Sequence, residues 1–231
     1  LKLLALDTAT EACSAAVWVD GAVLERYEFA PRRHAALILP MIDAVLSEAG
    51  LSVKQLDAIA VGRGPGAFTG VRIAIGIAQG IAFAADLPVA PMSTLAALAL
   101  GAGREFGYSH LAVVLDARMG EVYWGAYAAT GNTVVLLGEE QCCPATVVTA
   151  PPGDWFGVGS GWLTYPEALA QRLSVKRWQG DRYPHAGDIA WLAADQRDVW
   201  VAADLALPVY LRNQVAKRPA AHSQPIVRRD V

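Results

Sequence analysis

Three runs near the start decide the fold: KLLALD (Lys2–Asp7), CSAAVWVD (Cys13–Asp20) and VLERYEF (Val23–Phe29). The first is a short, nearly continuous apolar run, as a buried strand requires. Between the second and third stands Asp20-Gly21, a strong short-range hairpin signal. The chain is therefore expected to open as a three-stranded meander.

Outward from this meander the pattern changes. His34–Ala49 has helical periodicity and stops at Gly50, a natural left-handed C′ residue. DAIAVG (Asp57–Gly62) reads as a strand, Thr69–Asp86 as a helix and Pro88–Met92 as a short strand. Ser93 is placed to cap a third helix running toward Arg104. A meander followed by strand–helix alternation gives an α/β class with a mixed five-stranded sheet and helices on its faces. This is the order of the ribonuclease-H-like unit that actin-like proteins carry twice.

Past residue 107 the pattern restarts, with expected strands at His110–Arg118, Glu121–Ala129, Asn132–Glu140 and Asp154–Gly159, and a helix at Tyr165–Leu173. Each half begins with a strand ending in aspartate, Asp7 or Asp116, and each then runs into a hairpin. The expected division is an N-terminal lobe over 1–106, a smaller second lobe over 107–216 and a flexible tail over 217–231. Pro40 is expected to bend or restart the first helix.

The 231 residues are 54% hydrophobic and 18% charged, which suits a sizeable core. A net charge of −3 supplies no global field for nucleic acid. Arg212, Lys217, Arg218, Arg228 and Arg229 bunch near the end, as a solvated tail would. Cys13, Cys142 and Cys143 form no disulfide framework, so a reducing cytoplasm is expected. The apolar start is interrupted at Asp7, unlike a signal peptide, and Ile73–Ala85 falls short of the ~20 residues of a spanning helix. A soluble protein with no membrane partner is expected.

The segment GRGPGAFTG (Gly62–Gly70) invites a phosphate-loop reading, which its spacing defeats. No glycine leads to Gly-Lys at Walker A spacing. Gly62, Gly64 and Ala67 meet a dinucleotide fingerprint on paper, but the segment follows the fourth strand of a meander-first sheet. The glycines fit a sharp turn, with Thr69 as the helix cap. Gly70, Gly76 and Gly80 inside the helix each cost about 1 kcal/mol relative to alanine, which implies another backbone close by.

Both long helices carry more apolar surface than one core contact needs. Around Thr69–Asp86 only Arg72, Gln79 and Asp86 form a polar stripe, and a surface helix needs an apolar arc of only about 100°. The surplus surface is expected to meet another subunit through Leu37, Ile38, Met41 and Val45 on the first helix and Arg72, Ile73, Gly76, Ile77 and Gly80 on the second. A core sandwiched within the chain is the alternative.

Residues for chemistry are sparse. No histidine pair has metal-ligand spacing and no G-x-S-x-G elbow occurs, so no catalytic or metal residue is assigned. A phosphate site of the actin type would draw on Asp7, Thr8 and Thr10, on Asp116 and Arg118, and on a turn at Gly157, Gly159 and Gly161. Arg118 and Met119 stand where phosphate approach would favour glycine. The same aspartates also suit plain turns that bond nearby backbone.

DTAT near the start, GRGPGAFTGVRIAIGIAQG (Gly62–Gly80), DARMGEVYWG (Asp116–Gly125) and PVYLRNQVA (Pro208–Ala216) together resemble the TsaB, or YeaZ, family. The resemblance covers residues 2–216, with Ala67 where serine is expected. It implies two ribonuclease-H-like lobes of the actin/Hsp70 superfamily. It implies a non-catalytic scaffold in forming threonylcarbamoyladenosine beside the tRNA anticodon. The implied partners are the transferase TsaD, met through helices 34–49 and 69–86, the ATPase TsaE, and a second copy when alone; tRNA enters only with the complex. No cofactor is expected to bind tightly, with ATP or ADP assigned at most to a subunit junction. The competing expectation is an ATPase or kinase with its own nucleotide site; a peptidase finds no nucleophile here.

Overall fold

The structure is a computed structural model that describes residues 1–212. Its elements in chain order are β1 (Lys2–Asp7), β2 (Ala12–Val19), β3 (Ala22–Phe29), α1 (His34–Glu48), β4 (Ala58–Gly62), α2 (Phe68–Ala85), β5 (Val89–Met92) and α3 (Thr94–Phe106). Then follow β6 (His110–Arg118), β7 (Glu121–Thr130), β8 (Thr133–Leu136), β9 (Gln141–Pro144), β10 (Phe156–Val158), α4 (Gly161–Thr164), α5 (Pro166–Leu173), β11 (Arg177–Gln179) and α6 (Ala186–Asp195).

The first sheet has the order β3-β2-β1-β4-β5. Its meander pairs are antiparallel and its β1–β4 and β4–β5 pairs parallel. The second sheet repeats that order as β8-β7-β6-β10-β11, again antiparallel on the meander side and parallel on the other. Strand β9 adds to β7 beyond β8's register. The molecule thus contains two mixed sheets of like strand order, the ribonuclease-H-like order expected from the sequence. Asp20 and Gly21 both take positive φ, as the expected hairpin turn requires.

Alternation along β1 divides the cores. Leu4 and Leu6 face α1 and α2, whereas Leu3 and Ala5 face α3 and α6. The α3–α6 layer also receives Leu111, Val113 and Phe156, so one continuous core joins the two sheets. Helix α6 was not expected from the sequence. It follows the second sheet in the chain, yet it packs on β1, β2 and β4. Val201 then bridges Val89, which brings the chain back to the first sheet's edge.

Several local expectations need correction. Pro40 does not interrupt α1, which runs unbroken to Glu48. Pro40 and Ala36 are both exposed, so the carbonyl deprived of its helical bond faces water. The cap of α2 is the backbone of Ala67, with no side-chain bond from Thr69. Ser93 does cap α3, accepting the Ala96 N–H at 3.2 Å. The expected strand at Asn132–Glu140 is shortened to β8, and β9 is a separate strand that starts just past its end. Arg212 belongs to no solvated tail: it donates to Glu121 at 2.8 Å and to the Ala117 carbonyl at 2.7 Å. The tail's other basic residues lie outside the described residues.

Glycines in α2 serve two different ends. A Cβ on Gly70 would lie 2.0 Å from the Thr8 carbonyl oxygen, so there the chain's own backbone presses on the helix. A Cβ on Gly76 or Gly80 would meet nothing within 4 Å among the described residues. Gly70→Ala is therefore expected to lower stability by more than about 2 kcal/mol. Gly76→Ala should raise the stability of the isolated chain by up to about 1 kcal/mol through helix propensity. Urea unfolding of the two variants checks this; equal effects would contradict it.

Candidate functional site

The two hairpin turns meet across a cleft of about 480 Å³, bounded by Thr10, Glu11, Phe68, Asp116, Arg118 and Tyr210. The internal repeat is visible in bonds. The Asp7 carboxylate accepts the Ala9 N–H at 2.9 Å, and the Asp116 carboxylate accepts the Arg118 N–H at 2.8 Å. Each aspartate closes a turn two residues long.

Beyond this the two aspartates differ. Asp116 lines the cleft and its backbone N–H donates to the Ser160 hydroxyl at 3.1 Å. Asp7 is 1% exposed and packs against Gly62, where a Cβ would sit 1.8 Å from its Oδ2. That Oδ2 has no hydrogen-bond partner among the described residues. Burial pushes the Asp7 carboxyl up to about 7, against the opposing pull of the Ala9 N–H and His185.

The remaining candidates divide similarly. Thr10 lines the cleft, but Thr8 is fully buried and donates to the Gly70 carbonyl at 2.6 Å. A Cβ on Gly157 would strike Trp162, and on Gly159 or Gly161 it would strike Val114, so these glycines make room within the fold. Arg118 bridges the hairpin tips, pairing with Glu11 at 2.8 Å and Asp116 at 3.3 Å. A metal–nucleotide does not fit this arrangement. The Asp7 carboxylate is sealed under Gly62, the Thr8 hydroxyl is engaged, and an ion pair spans the place between the tips. Among the described residues no group of three His, Cys, Asp or Glu side chains is placed to hold a metal.

The second candidate site is the outer face of α2. Its buried side presents Val71, Ala74, Ile75, Ala78 and Ala82 to the sheet. Its outer ridge runs Phe68, Arg72, Gly76, Gly80 and Phe83, with Phe68 56% and Phe83 84% exposed. Ile73 and Ile77 are half-buried beside it, as are Leu37 and Met41 on α1. Ile38 and Val45, expected on this face, are instead fully buried, because that side of α1 packs on β2. The Arg72 guanidinium lies 3.3 Å from the Phe68 ring centre and 5.2 Å from that of Tyr210. Phe68 and Arg72 thus belong both to the ridge and to the wall of the cleft. Helix α2 is the one described helix long and apolar enough to cross a membrane, but it links two strands of the sheet and buries one side there.

Sequence reasoning missed Glu11, Tyr210 and Arg212, which complete the cleft from distant parts of the chain. It also missed the contact of His185 with Glu25, 160 positions away. No local pattern marks such pairs.

Comparisons with known proteins agree on one relationship. Residues 27–161 match the family model described as TsaD, tRNA N6-adenosine threonylcarbamoyltransferase. The chain is 43% identical over 223 residues to the tRNA threonylcarbamoyladenosine biosynthesis protein TsaB of Escherichia coli (strain K12), spanning 94% of this chain and 96% of the relative. It is 31% identical over 241 residues to the protein of the same description from Bacillus subtilis (strain 168), spanning 97% and 100%. The solved structure of YeaZ from Pseudomonas aeruginosa aligns with a TM-score of 0.86 at 49% identity, covering 91% of this chain and 99% of that one.

Asp7 supplies a test of the buried turn. Its folded value, about 7, lies above the ordinary 3.8, so the folded state binds the proton more tightly than the unfolded. Its contribution to stability is full below the ordinary value and is lost as pH rises through about 7. Asp7→Asn is expected to flatten that loss and to raise the melting temperature above neutral pH. An unchanged pH slope in thermal melts would contradict the placement.

Proposed function

The chain belongs to the TsaB (YeaZ) family of tRNA threonylcarbamoyladenosine biosynthesis proteins, and from that premise we propose that it is the non-catalytic docking subunit of the modification complex. The observation that carries the proposal is the outer face of α2. The folded chain leaves bulky apolar groups at both ends of this helix and two glycines at its centre, with no atom of the described residues within 4 Å of where their Cβ would sit. A glycine notch between ridges admits a crossing helix at short distance. Burying one such phenylalanine contributes about 1.5–3 kcal/mol.

The partner we assign to this face is TsaD, with a second copy of the chain taking its place when TsaD is absent. The match of residues 27–161 to the TsaD family model supports this, since two related folds can offer like surfaces to each other. TsaE joins the assembled pair, and tRNA binds the complex as a whole. A net charge of −3 fits a subunit that does not hold tRNA alone. The complex works in the cytoplasm. Chemistry falls to the partner, because the turn residues that would hold a metal–nucleotide are engaged in the fold itself. Any ATP or ADP is held at a junction between subunits.

Gly76→Leu tests the docking face, since a Cβ there meets nothing within 4 Å among the described residues. The variant should keep or raise its melting temperature while its affinity for TsaD falls at least about tenfold, a change of about 1.4 kcal/mol. Analytical ultracentrifugation of the mixture reads this; an unchanged heterodimer would remove the assignment. The cleft of about 480 Å³ favours the second reading, an actin-fold ATPase. Calorimetry of the isolated chain with ATP and magnesium decides between them. No heat is expected; micromolar binding together with turnover lost in Asp116→Asn would reverse the order of the readings.

A further inference from the structure

A larger cavity of about 740 Å³ lies on another side of the molecule, between β3, α3 and the segment that leads into α6. Three contacts fasten that segment and the first turn of α6. Arg182 donates to Glu105 at 2.7 Å, Arg104 to Asp188 at 3.1 Å, and His185 Nδ1 stands 2.9 Å from Glu25. The third is the most elaborate. The His185 ring stacks on Tyr27, with centres 4.1 Å apart and planes 9° from parallel. The other oxygen of Glu25 accepts the Gly187 N–H at 3.0 Å, and the Ser14 hydroxyl accepts the Ala186 N–H at 3.0 Å. One carboxylate on an edge strand therefore holds both an imidazole and the first turn of a helix that belongs to the chain's return.

We propose that His185, Glu25 and Tyr27 form a proton-operated latch that sets how firmly the first turn of α6 and the segment Asp181–Asp188 close this cavity. With His185 protonated, Glu25 faces a cation and a helix N-terminus together, and both attractions act on one carboxylate. With His185 neutral, the cationic attraction disappears. A remaining Nδ1–H still donates, but to weaker effect, and the other tautomer does not donate to Glu25 at all. Glu25 then holds only the Gly187 N–H.

The charged groups around the ring set the working range. Asp188 faces it from α6, Arg104 and Glu105 from α3, Asp181, Arg182 and Tyr183 from the preceding segment, and Asp7 from β1. Burial opposes charge on His185, but the Glu25 bond and its field, followed by Asp188 and Glu105, outweigh burial and raise the imidazole above its ordinary 6.5. The latch is therefore complete below the ordinary histidine value and loosens as pH rises through the raised one. Burial pushes Asp188 up to about 6, so its own titration falls at lower pH and weakens the Arg104 pair in the opposite direction.

Amide hydrogen exchange on the full chain, corrected for intrinsic rates, tests the latch at Gly187, Asp188 and Ile189. Between about pH 6 and pH 8 protection at these amides is expected to fall about three- to tenfold, and in Asp7→Asn, where the buried turn no longer titrates, the β1 and β4 amides should show no such change. Glu25→Gln keeps an acceptor for Gly187 and removes the charge, so its protection should be flat with pH. Asp188→Asn and Asp7→Asn should each retain the fall. A flat profile in the unaltered chain, or a fall that persists in Glu25→Gln and vanishes in either control, overturns the latch. Should Glu25→Gln not fold, the His185 midpoint read by NMR in the unaltered chain decides; a value at or below the ordinary one overturns it.

Discussion

The close approach of the β1–β2 turn to the start of α2 is the constraint on which the rest depends. The Thr8 hydroxyl donates to the Gly70 carbonyl at 2.6 Å, and the Ala67 N–H donates to the Ala9 carbonyl at 2.7 Å. Only glycine at 66 and 70 leaves room for that approach. These contacts fix the rotation of α2 about its axis. With Gly70, Ala74 and Ala78 turned to the sheet, Gly76 and Gly80 must face outward. The exposed ridge is thus a consequence of how the first turn is seated.

The same seating explains the state of the phosphate-type turn. Thr8 cannot both hold α2 and offer its hydroxyl to a ligand. Asp7 cannot both pack under Gly62 and face the cleft. In the first half Asp7 and Thr8 are held inside the fold, and of the three candidates only Thr10 lines the cleft. In the second half, Gly159 and Gly161 are held against Val114 in the same way. What the cleft retains is an ion pair between Arg118 and Glu11, which ties the hairpin tips together.

Much of the fold was legible because its signals are local. Asp20-Gly21 marks a hairpin, Gly50 takes positive φ at the end of α1, and Ser93 caps α3, all within a few residues of one another. The doubled strand–aspartate–turn pattern is likewise read from adjacent residues. Helix α6 escaped because it has no side-chain cap, is only ten residues long and is apolar on several sides. Its position depends on a sheet whose first strand lies some 180 residues earlier, which no window can register. Strands β9 and β11 are three or four residues long and exist by pairing alone. The site was legible in part for the same reason. An excess of apolar surface on α2 can be counted from sequence, but which of α1's residues turn inward depends on its packing against β2. Ile38 and Val45 are the result.

The central claim is that α2's outer ridge is covered by a partner chain. Hydroxyl-radical footprinting of the side chains, with and without TsaD, measures that most directly. Phe68, Phe83 and Met41 are expected to lose reactivity together on mixing, while the exposed Val135 and Leu163 of the second sheet's periphery keep theirs. Protection confined to the second half, with Phe83 as reactive in the mixture as alone, would contradict the account.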